Sequence, residues 1–316
     1  MAVYTEVSFD EAAAFLSALN LGQLQSLNGT ANGIENTNYF VNTDQGEYVL
    51  TLFERLTFEQ LPYYLHLMKH LAAHGVAVPD PAPDAKGNIV HRLKGKPAAV
   101  VNKLRGHCEL APTAAHCAAV GEALARLHLA GLDYPRKQPN LRGLAWWNET
   151  VPVVLPHLEP AQRTLILGEL AYQNHVAAAS GYRSLPRGPV HADLFRDNVM
   201  FEDGQLTGFF DFYFAGCDAF LFDIGVCLND WCIDLASGAQ DTPRANAFMA
   251  AYQRLRTLTA QERSLLPALQ RAAALRFWIS RLWDFHLPRE AAVLKAHDPG
   301  HFERVLRAQL LQPYQL

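Results

Sequence analysis

The residues best suited to chemistry lie in one short segment, where Asp193 and Asn198 are followed, after an apolar stretch, by Asp211. An amide oxygen and a carboxylate suit a magnesium ion that is also held by the phosphates of a nucleotide. Asp193 belongs to a polar loop, so it can face a reacting group from the side opposite the metal. The three side chains therefore predict a site where a magnesium-bound nucleotide meets a second reactant.

A tight hairpin must bring the two metal ligands together. The Asp-Gly pair at 203–204 separates the runs VMFE and QLTGFFDF, and this is a strong signal for a two-residue β-turn. Continuing the paired strands places Asn198 diagonally from Asp211 on one face, with α-carbons roughly 7 to 8 Å apart. A three-residue turn would put the two side chains on opposite faces unless a bulge restored the alternation.

Near residue 105 the spacing of apolar residues changes from a pattern typical of strands to one typical of helices. Before it, strand-like runs alternate with two helices that capping boxes open at Ser8 and Thr57. After it, helical spacing dominates, apart from the hairpin and a Pro-, Asn- and Gly-rich stretch over 133–152 that predicts a surface loop bearing two tryptophans, Trp146 and Trp147. We expect an α+β protein with a small antiparallel-sheet domain over 1–104 and a mainly helical domain over 105–316.

Composition narrows the class of protein. The chain has 316 residues, 27 basic and 31 acidic side chains and a net charge of −4, with no cluster of basic and aromatic residues, which argues against a nucleic-acid partner. No apolar stretch approaches the roughly 18 residues of a membrane span, and the first residues lack the layout of a signal peptide. We therefore expect a cytoplasmic protein with no membrane partner.

The segments HADLFRDNVMF, FFDFYFAG, LNDWC, LRFWISRL and HDPGHFE resemble the aminoglycoside-phosphotransferase-like branch of the kinase superfamily, and within it the bacterial homoserine kinases. The resemblance covers the whole length. It implies a bilobal protein-kinase-like fold that uses ATP and Mg²⁺ to phosphorylate the hydroxyl of L-homoserine, a step toward threonine. By motif, Asp193 becomes the base, Asn198 and Asp211 the metal ligands, and His191 and Asp223 the groups that hold the catalytic loop.

The same resemblance gives roles to two segments of the small domain. The loop NGTANGIEN offers Gly29 and Gly33, whose backbone amides can approach phosphates, although an ordinary turn is the alternative. The strand AAVVNKLRG is placed where kinases bind adenine through the backbone, and we expect those contacts at Asn102 and Leu104.

Two positions depart from the protein-kinase pattern. Thr51 stands where a lysine normally meets the α- and β-phosphates. Arg55 would replace that charge if the strand continued, the alternative being a solvated arginine. Glu59 is the residue that would have paired with such a lysine. Phe195 replaces the catalytic-loop lysine of protein kinases, which argues against a protein substrate.

An amino-acid acceptor requires a cation for its carboxylate and an anion for its ammonium group. We expect Arg276 or Arg281 to bind the carboxylate and Asp230 to face the ammonium. The alternative for each is a structural ion pair. The two arginines are five positions apart, so they cannot both lie centrally on one helical face and at most one should touch the acceptor.

Two rival functions stay open on the sequence alone. One is the same chemistry on another small alcohol, such as choline, an aminosugar or hydroxylysine. The other is a nucleotide-binding regulatory module without catalysis, which the loss of the lysine at Thr51 suggests and the intact Asp193, Asn198 and Asp211 oppose.

Overall fold

A computed structural model describes residues 5–30, 36–287 and 297–316. The chain divides into two compact units. The first consists of residues 1–105 with 208–210, and the second of 106–207 with 211–316. The short segment at 208–210 is the part of the first unit that chain order alone did not predict.

The first unit is built on a five-stranded antiparallel sheet with the strand order β1-β2-β3-β5-β4. Its elements in chain order are α1 (Phe9–Ala18), β1 (Leu24–Gly29), β2 (Asn36–Thr43), β3 (Glu47–Phe53), α2 (Leu61–Ala73), β4 (His91–Leu93) and β5 (Lys96–Asn102).

One face of this sheet packs against α1. Alternate residues of a strand point to the same face, and Tyr39, Leu50 and Val100 form a buried cluster with Leu16 of α1. The capping box predicted at Ser8 is present: the Ser8 hydroxyl accepts from the backbone N–H of Glu11, whose side chain accepts from the backbone N–H of Ser8. The face that carries Thr51 is the opposite one, because Thr51 lies between Leu50 and Leu52 in β3.

The second unit is mainly helical. Its helices are α3 (Ala114–Ala130), α4 (Leu144–Val154), α5 (Pro160–Ala178), α6 (Ser180–Arg183), α7 (Phe220–Trp231), α8 (Thr242–Leu255), α9 (Ala260–His286) and α10 (Gly300–Leu311). Its strands are β6 (His107–Cys108), β7 (Arg187–Val190), β8 (Val199–Glu202), β9 (Gln205–Phe209, of which the last two residues belong to the first unit) and β10 (Gly216–Ala219). All twelve residues of α7 are buried, so this helix forms the centre of the unit. Within the described ranges, no helix is both long enough and apolar enough to cross a lipid bilayer.

The predicted two-residue hairpin turn is confirmed, but the strands are shorter than the prediction assumed. Asp203 and Gly204 have φ angles of 50° and 74°, the two positive values that a tight hairpin turn of this class requires. Pairing begins at Val199 and ends at Phe209, so Asn198 and Asp211 lie just outside the strands.

The predicted loop over 133–152 is wrong for its second half. Residues 144–154 form α4, which follows Gly143 and contains Pro152. Trp147, Val151 and Val154 are buried at helical spacing, and this apolar stripe outweighs the turn-forming composition that predicted a loop.

Helices α3 and α8 approach so closely that one position of α3 has no room for a side chain. A Cβ atom at Gly121 would lie 2.3 Å from the carbonyl oxygen of Phe248 in α8. By contrast, a Cβ atom at Gly168 in α5 would meet no atom within 4 Å.

These two glycines give a matched test of the packing. Gly121→Ala should lower the free energy of unfolding by about 1 to 3 kcal/mol, since the helices must separate. Gly168→Ala should raise it by about 0.5 to 1 kcal/mol, because alanine is the better helix former. Urea unfolding followed by circular dichroism measures both, and a stabilised Gly121→Ala variant would contradict the close approach.

Candidate active site

The catalytic loop, residues 191–198, is held by a carboxylate from the central helix. Asp223 of α7 accepts the backbone N–H of His191 at 2.7 Å and that of Ala192 at 2.8 Å. Ala192 has a φ of 63°, a left-handed conformation that costs about 1 to 2 kcal/mol for a residue with a side chain. The two charge-assisted hydrogen bonds offset this strain and fix the direction of the chain as it enters the loop.

Asp193 follows immediately and is half-buried. Its backbone N–H donates to Nδ1 of His191 at 3.2 Å, and its carbonyl oxygen accepts from Nδ2 of Asn198 at 2.8 Å. Burial raises the pKa of Asp193 well above its ordinary value, the charge of Arg276 opposes this, and the charge of Asp211 adds to it. The structure thus brings Asp193 into electrostatic range of both Asp211 and Arg276.

The two predicted metal ligands occupy turns that flank the hairpin. Asn198 is buried and ends the short 3-10 turn Arg196–Asn198, while Asp211 has φ 68° and precedes the 3-10 turn Phe212–Phe214. Because Nδ2 of Asn198 donates to the loop backbone, its Oδ1 is turned away from that backbone. An amide oxygen and a carboxylate are donors that suit Mg²⁺, so the residues present fit a divalent cation.

Asp230 forms an ion pair with the loop. Its Oδ2 accepts from the backbone N–H of Arg196 at 2.8 Å and from Nε of Arg196 at 3.1 Å. Burial raises the pKa of Asp230, and the charge of Arg196 opposes that shift. The structural ion pair that the sequence left as an alternative is therefore present, with one carboxylate oxygen engaged.

Arg276 of α9 is a buried cation, and no carboxylate of the described residues forms an ion pair with it. Its side chain is 3% exposed, and within the described part of the chain its Nε and Nη2 have no hydrogen-bond partner. Its guanidinium carbon lies 3.7 Å from the ring centroid of Phe277 and 5.0 Å from that of Phe214. Burial lowers the pKa of Arg276 to about 10, while the charge of Asp193 opposes the shift. A cation in this state favours an anionic ligand.

Arg281, the other predicted candidate, lies in a different environment. It is half-buried, with its guanidinium carbon 4.4 Å from the ring centroid of Phe302. Burial lowers its pKa, and the charge of Asp230 is the largest of those that oppose the shift. Phe195 packs against Phe277 in a tilted arrangement at a centroid distance of 4.4 Å and stacks on Phe302 at 5.8 Å. It thus belongs to the aromatic cluster that Arg276 and Arg281 cover.

The contact of Asp223 with His128 of α3 was not predicted from the sequence. His128 is fully buried. Its Nε2 lies 3.2 Å from Oδ2 of Asp223 and its Nδ1 lies 2.8 Å from the hydroxyl of Tyr252. Burial lowers the pKa of His128 in spite of the nearby carboxylate. A neutral imidazole that donates to Asp223 and accepts from Tyr252 satisfies all three groups.

In the first unit, the adenine candidates lie at the end of β5. Asn102 is its last residue, and its Oδ1 accepts from the backbone N–H of Asp80 at 2.6 Å. Leu104 follows two residues later and is half-buried. Gly29 ends β1 opposite Tyr39, whereas Gly33 lies outside the described residues.

At position 51, where the sequence analysis expects the counterpart of a kinase lysine, the structure has a neutral pair. The Thr51 hydroxyl donates to Oδ1 of Asn38, its neighbour across β2 and β3, at 2.7 Å. Strand β3 ends at Phe53, so Arg55 does not continue the face of Thr51 as the sequence had suggested. Glu59 is exposed in a turn ahead of α2.

Comparison with known proteins gives close relatives by sequence. A model of the phosphotransferase enzyme family matches residues 26–258. A homoserine kinase of Polaromonas naphthalenivorans (strain CJ2) is 82% identical over 316 residues, with 100% of each chain covered. A homoserine kinase of Janthinobacterium sp. (strain Marseille) is 54% identical, with 99% of this chain and 97% of that protein covered.

Solved structures support the fold at much lower identity. Amicoumacin kinase hAmiN, in complex with AMP-PNP, Ca²⁺ and Ami, matches with a TM-score of 0.69 at 19% identity and covers 96% of this chain and 92% of its own. Choline kinase from Cryptosporidium parvum Iowa II matches with a TM-score of 0.63 at 12% identity and covers 91% and 88%. These likenesses confirm the predicted α+β kinase-like fold.

The buried neutral histidine predicts a pH dependence of stability. The pKa of His128 lies below its ordinary value in the folded protein, so the unfolded chain binds this proton first as the pH falls. The free energy of unfolding should therefore decrease below about pH 6.5, by at most about 1.4 kcal/mol per pH unit from this group.

Urea unfolding at pH 7.5 and pH 5.5 tests this with His128→Gln against His175→Gln, an exposed histidine of α5. The His175→Gln variant should lose as much stability as the original chain, and His128→Gln should lose less. An equal loss in both variants would show that His128 is not the group that titrates.

Proposed function

Because the chain belongs to the phosphotransferase enzyme family and, within it, to the homoserine kinases, we infer that it transfers the terminal phosphoryl group of ATP to the side-chain hydroxyl of L-homoserine. The observation that carries this function is the 82% identity to a homoserine kinase over the whole of both chains. The product is O-phospho-L-homoserine, an intermediate of threonine biosynthesis, and the reaction uses a divalent metal ion, typically Mg²⁺. A cytoplasmic location is our proposal, since both substrates are metabolites of that compartment.

We assign the hydroxyl of the acceptor to Asp193. Phosphoryl transfer proceeds through a loose transition state, so the main requirement is to position the nucleophile and stabilise charge. The positioning comes from Asp223, which accepts the backbone N–H of Ala192, and from Asn198, which donates to the carbonyl oxygen of Asp193. The raised pKa of Asp193 makes its carboxylate a better acceptor for the hydroxyl proton as the bond to phosphorus forms.

Asn198 and Asp211 are the residues that we propose to hold the metal. A bound Mg²⁺ ion would neutralise charge on the phosphates of ATP. The chain's own contribution is to fix the amide of Asn198 through its bond to the Asp193 carbonyl and to place Asp211 by the left-handed turn that follows β9.

Arg276 is our candidate for the carboxylate of L-homoserine. It is buried, two of its nitrogens lack partners within the described residues, and it lies in electrostatic range of Asp193. Arg281 remains a second candidate. It is less available than Arg276, because its guanidinium group packs on the ring of Phe302 and lies near several carboxylates. Asp230 remains the candidate for the ammonium group through the oxygen that does not bind Arg196.

The test of the function is an acceptor panel. ADP release with ATP and Mg²⁺ should show the highest kcat/KM for L-homoserine among L-homoserine, choline, an aminosugar and hydroxylysine. A higher kcat/KM for one of the other alcohols would reassign the acceptor. ATP binding without turnover on any of the four would instead favour a regulatory module.

Two carboxylate variants separate the base from the metal ligand. Asp193→Asn should lower kcat by roughly 10² to 10⁴ with little change in the affinity for magnesium-bound ATP. Asp211→Asn should weaken that binding, because a charged ligand of the ion is lost. Asp203→Asn makes the same charge change in the exposed hairpin turn and serves as the control. Unchanged calorimetric binding in Asp211→Asn would refute the metal assignment, and normal turnover in Asp193→Asn would refute the base.

A further inference from the structure

We propose that Arg142 is a specificity-determining residue that directs a second positive charge at the acceptor's carboxylate, beside Arg276. The inference rests on the proposed function, since it concerns the same acceptor site. Arg142 lies in the loop between α3 and α4, in the stretch that the sequence marked only by its two tryptophans.

The loop that carries Arg142 is fixed against β10. Gln138 accepts the backbone N–H of Cys217 at 2.6 Å, and Pro139 bridges the same residue. Nδ2 of Asn140 donates to Asp218 at 2.9 Å. A Cβ atom at Gly216 would lie 2.7 Å from the α-carbon of Asn140, so the two backbones are packed without space between them. The loop is therefore a rigid support and not a mobile connection.

Hydrogen bonds from neighbouring side chains also fix the backbone of Arg142 in place. Its N–H donates to Oδ1 of Asn140 at 2.9 Å, and its carbonyl oxygen accepts from the indole Nε1 of the buried Trp147 at 2.6 Å. Side chains thus bind both the backbone N–H and the backbone carbonyl oxygen of Arg142. These two hydrogen bonds set the direction in which the Arg142 side chain leaves the loop.

The guanidinium group of Arg142 lies near an aromatic ring that Arg276 also contacts. Its carbon lies 4.5 Å from the ring centroid of Trp146 and 5.9 Å from that of Phe214, the ring that Arg276 also covers at 5.0 Å. The two cations are close enough for the charge of Arg142 to lower the pKa of Arg276. Like charges that share one aromatic ring repel, and a bound anion between them removes the repulsion.

This arrangement selects the acceptor as well as binding it. A carboxylate gains a charge-assisted contact at Arg142 in addition to the one at Arg276. A cationic alcohol without a carboxylate, such as choline or an aminosugar, would bring a third positive charge to the same place. Specificity here comes from attraction of the correct acceptor and repulsion of its competitors.

Steady-state kinetics with L-homoserine and with its carboxamide test the proposal, the amide being measured as substrate or as competitive inhibitor. Arg142→Gln should raise KM for L-homoserine about 10-fold to 100-fold, the loss expected for one hydrogen bond to a charged group. The variant should leave kcat and KM for ATP nearly unchanged, and affinity for the amide should change far less. Arg142→Lys should give an intermediate KM, because it keeps the charge and loses the planar fork.

Arg136→Gln, an exposed arginine of the same loop, is the matched control and should behave as the original enzyme. Equal losses for acid and amide would overturn the inference, as would a rise in KM for ATP instead of L-homoserine. Thermal unfolding checks that each variant is folded, and if Arg142→Gln is not, the acid-to-amide ratio of Arg142→Lys decides. No turnover of L-homoserine by the original enzyme would be a failure of the proposed function, whereas turnover that is insensitive to Arg142 is a failure of this inference alone.

Discussion

The carboxylate of Asp223 is the group on which the geometry of the active site depends. It lies on a helix that is buried along its whole length, and it accepts the two backbone N–H groups at the start of the catalytic loop. A buried charge is stable only when hydrogen bonds replace its water. Here the loop and His128 supply those bonds, so the loop is ordered by the same contacts that make the carboxylate tolerable. The left-handed backbone at Ala192 is maintained because Asp223 accepts the backbone N–H groups of both His191 and Ala192.

A second constraint is the arrangement of the charges that we propose to face the acceptor. Asp230 is paired with Arg196, whereas Arg276 is surrounded by aromatic rings. Aromatic faces stabilise a guanidinium group without neutralising it. The free-energy cost of removing Arg276 from water is therefore incurred during folding. An anion that binds afterwards gains a charged contact in a region of low dielectric constant. That is the state expected of a preorganised binding group.

The sequence predicts this fold well where the signal is local. The capping box at Ser8 and the Asp-Gly turn at 203–204 depend on neighbours a few residues apart, and both are present. Helix α4 was missed because its buried stripe is embedded among turn-forming residues, so composition and periodicity disagreed. His128 and Arg142 were not assigned functional roles because their partners are distant along the chain. The Asp223 that His128 contacts is 95 positions away, and Arg142 acquires meaning only from the ring that it shares with Arg276.

In the first unit, Thr51 stands where the resemblance to protein kinases leads us to expect a phosphate-binding lysine. A candidate replacement is Lys96 of β5, which forms an ion pair with Glu54. However, Thr51 is paired with Ala99, and Lys96 is three positions from Ala99, so the two side chains leave opposite faces of the sheet. Lys96 shares the face of Ala98 and Val100, which packs against α1. It also donates to Thr5, so its role is to fasten the chain ahead of α1 to the sheet. At position 51 the sheet presents the neutral Thr51–Asn38 pair, so on this strand the described residues place no positive charge beside Thr51.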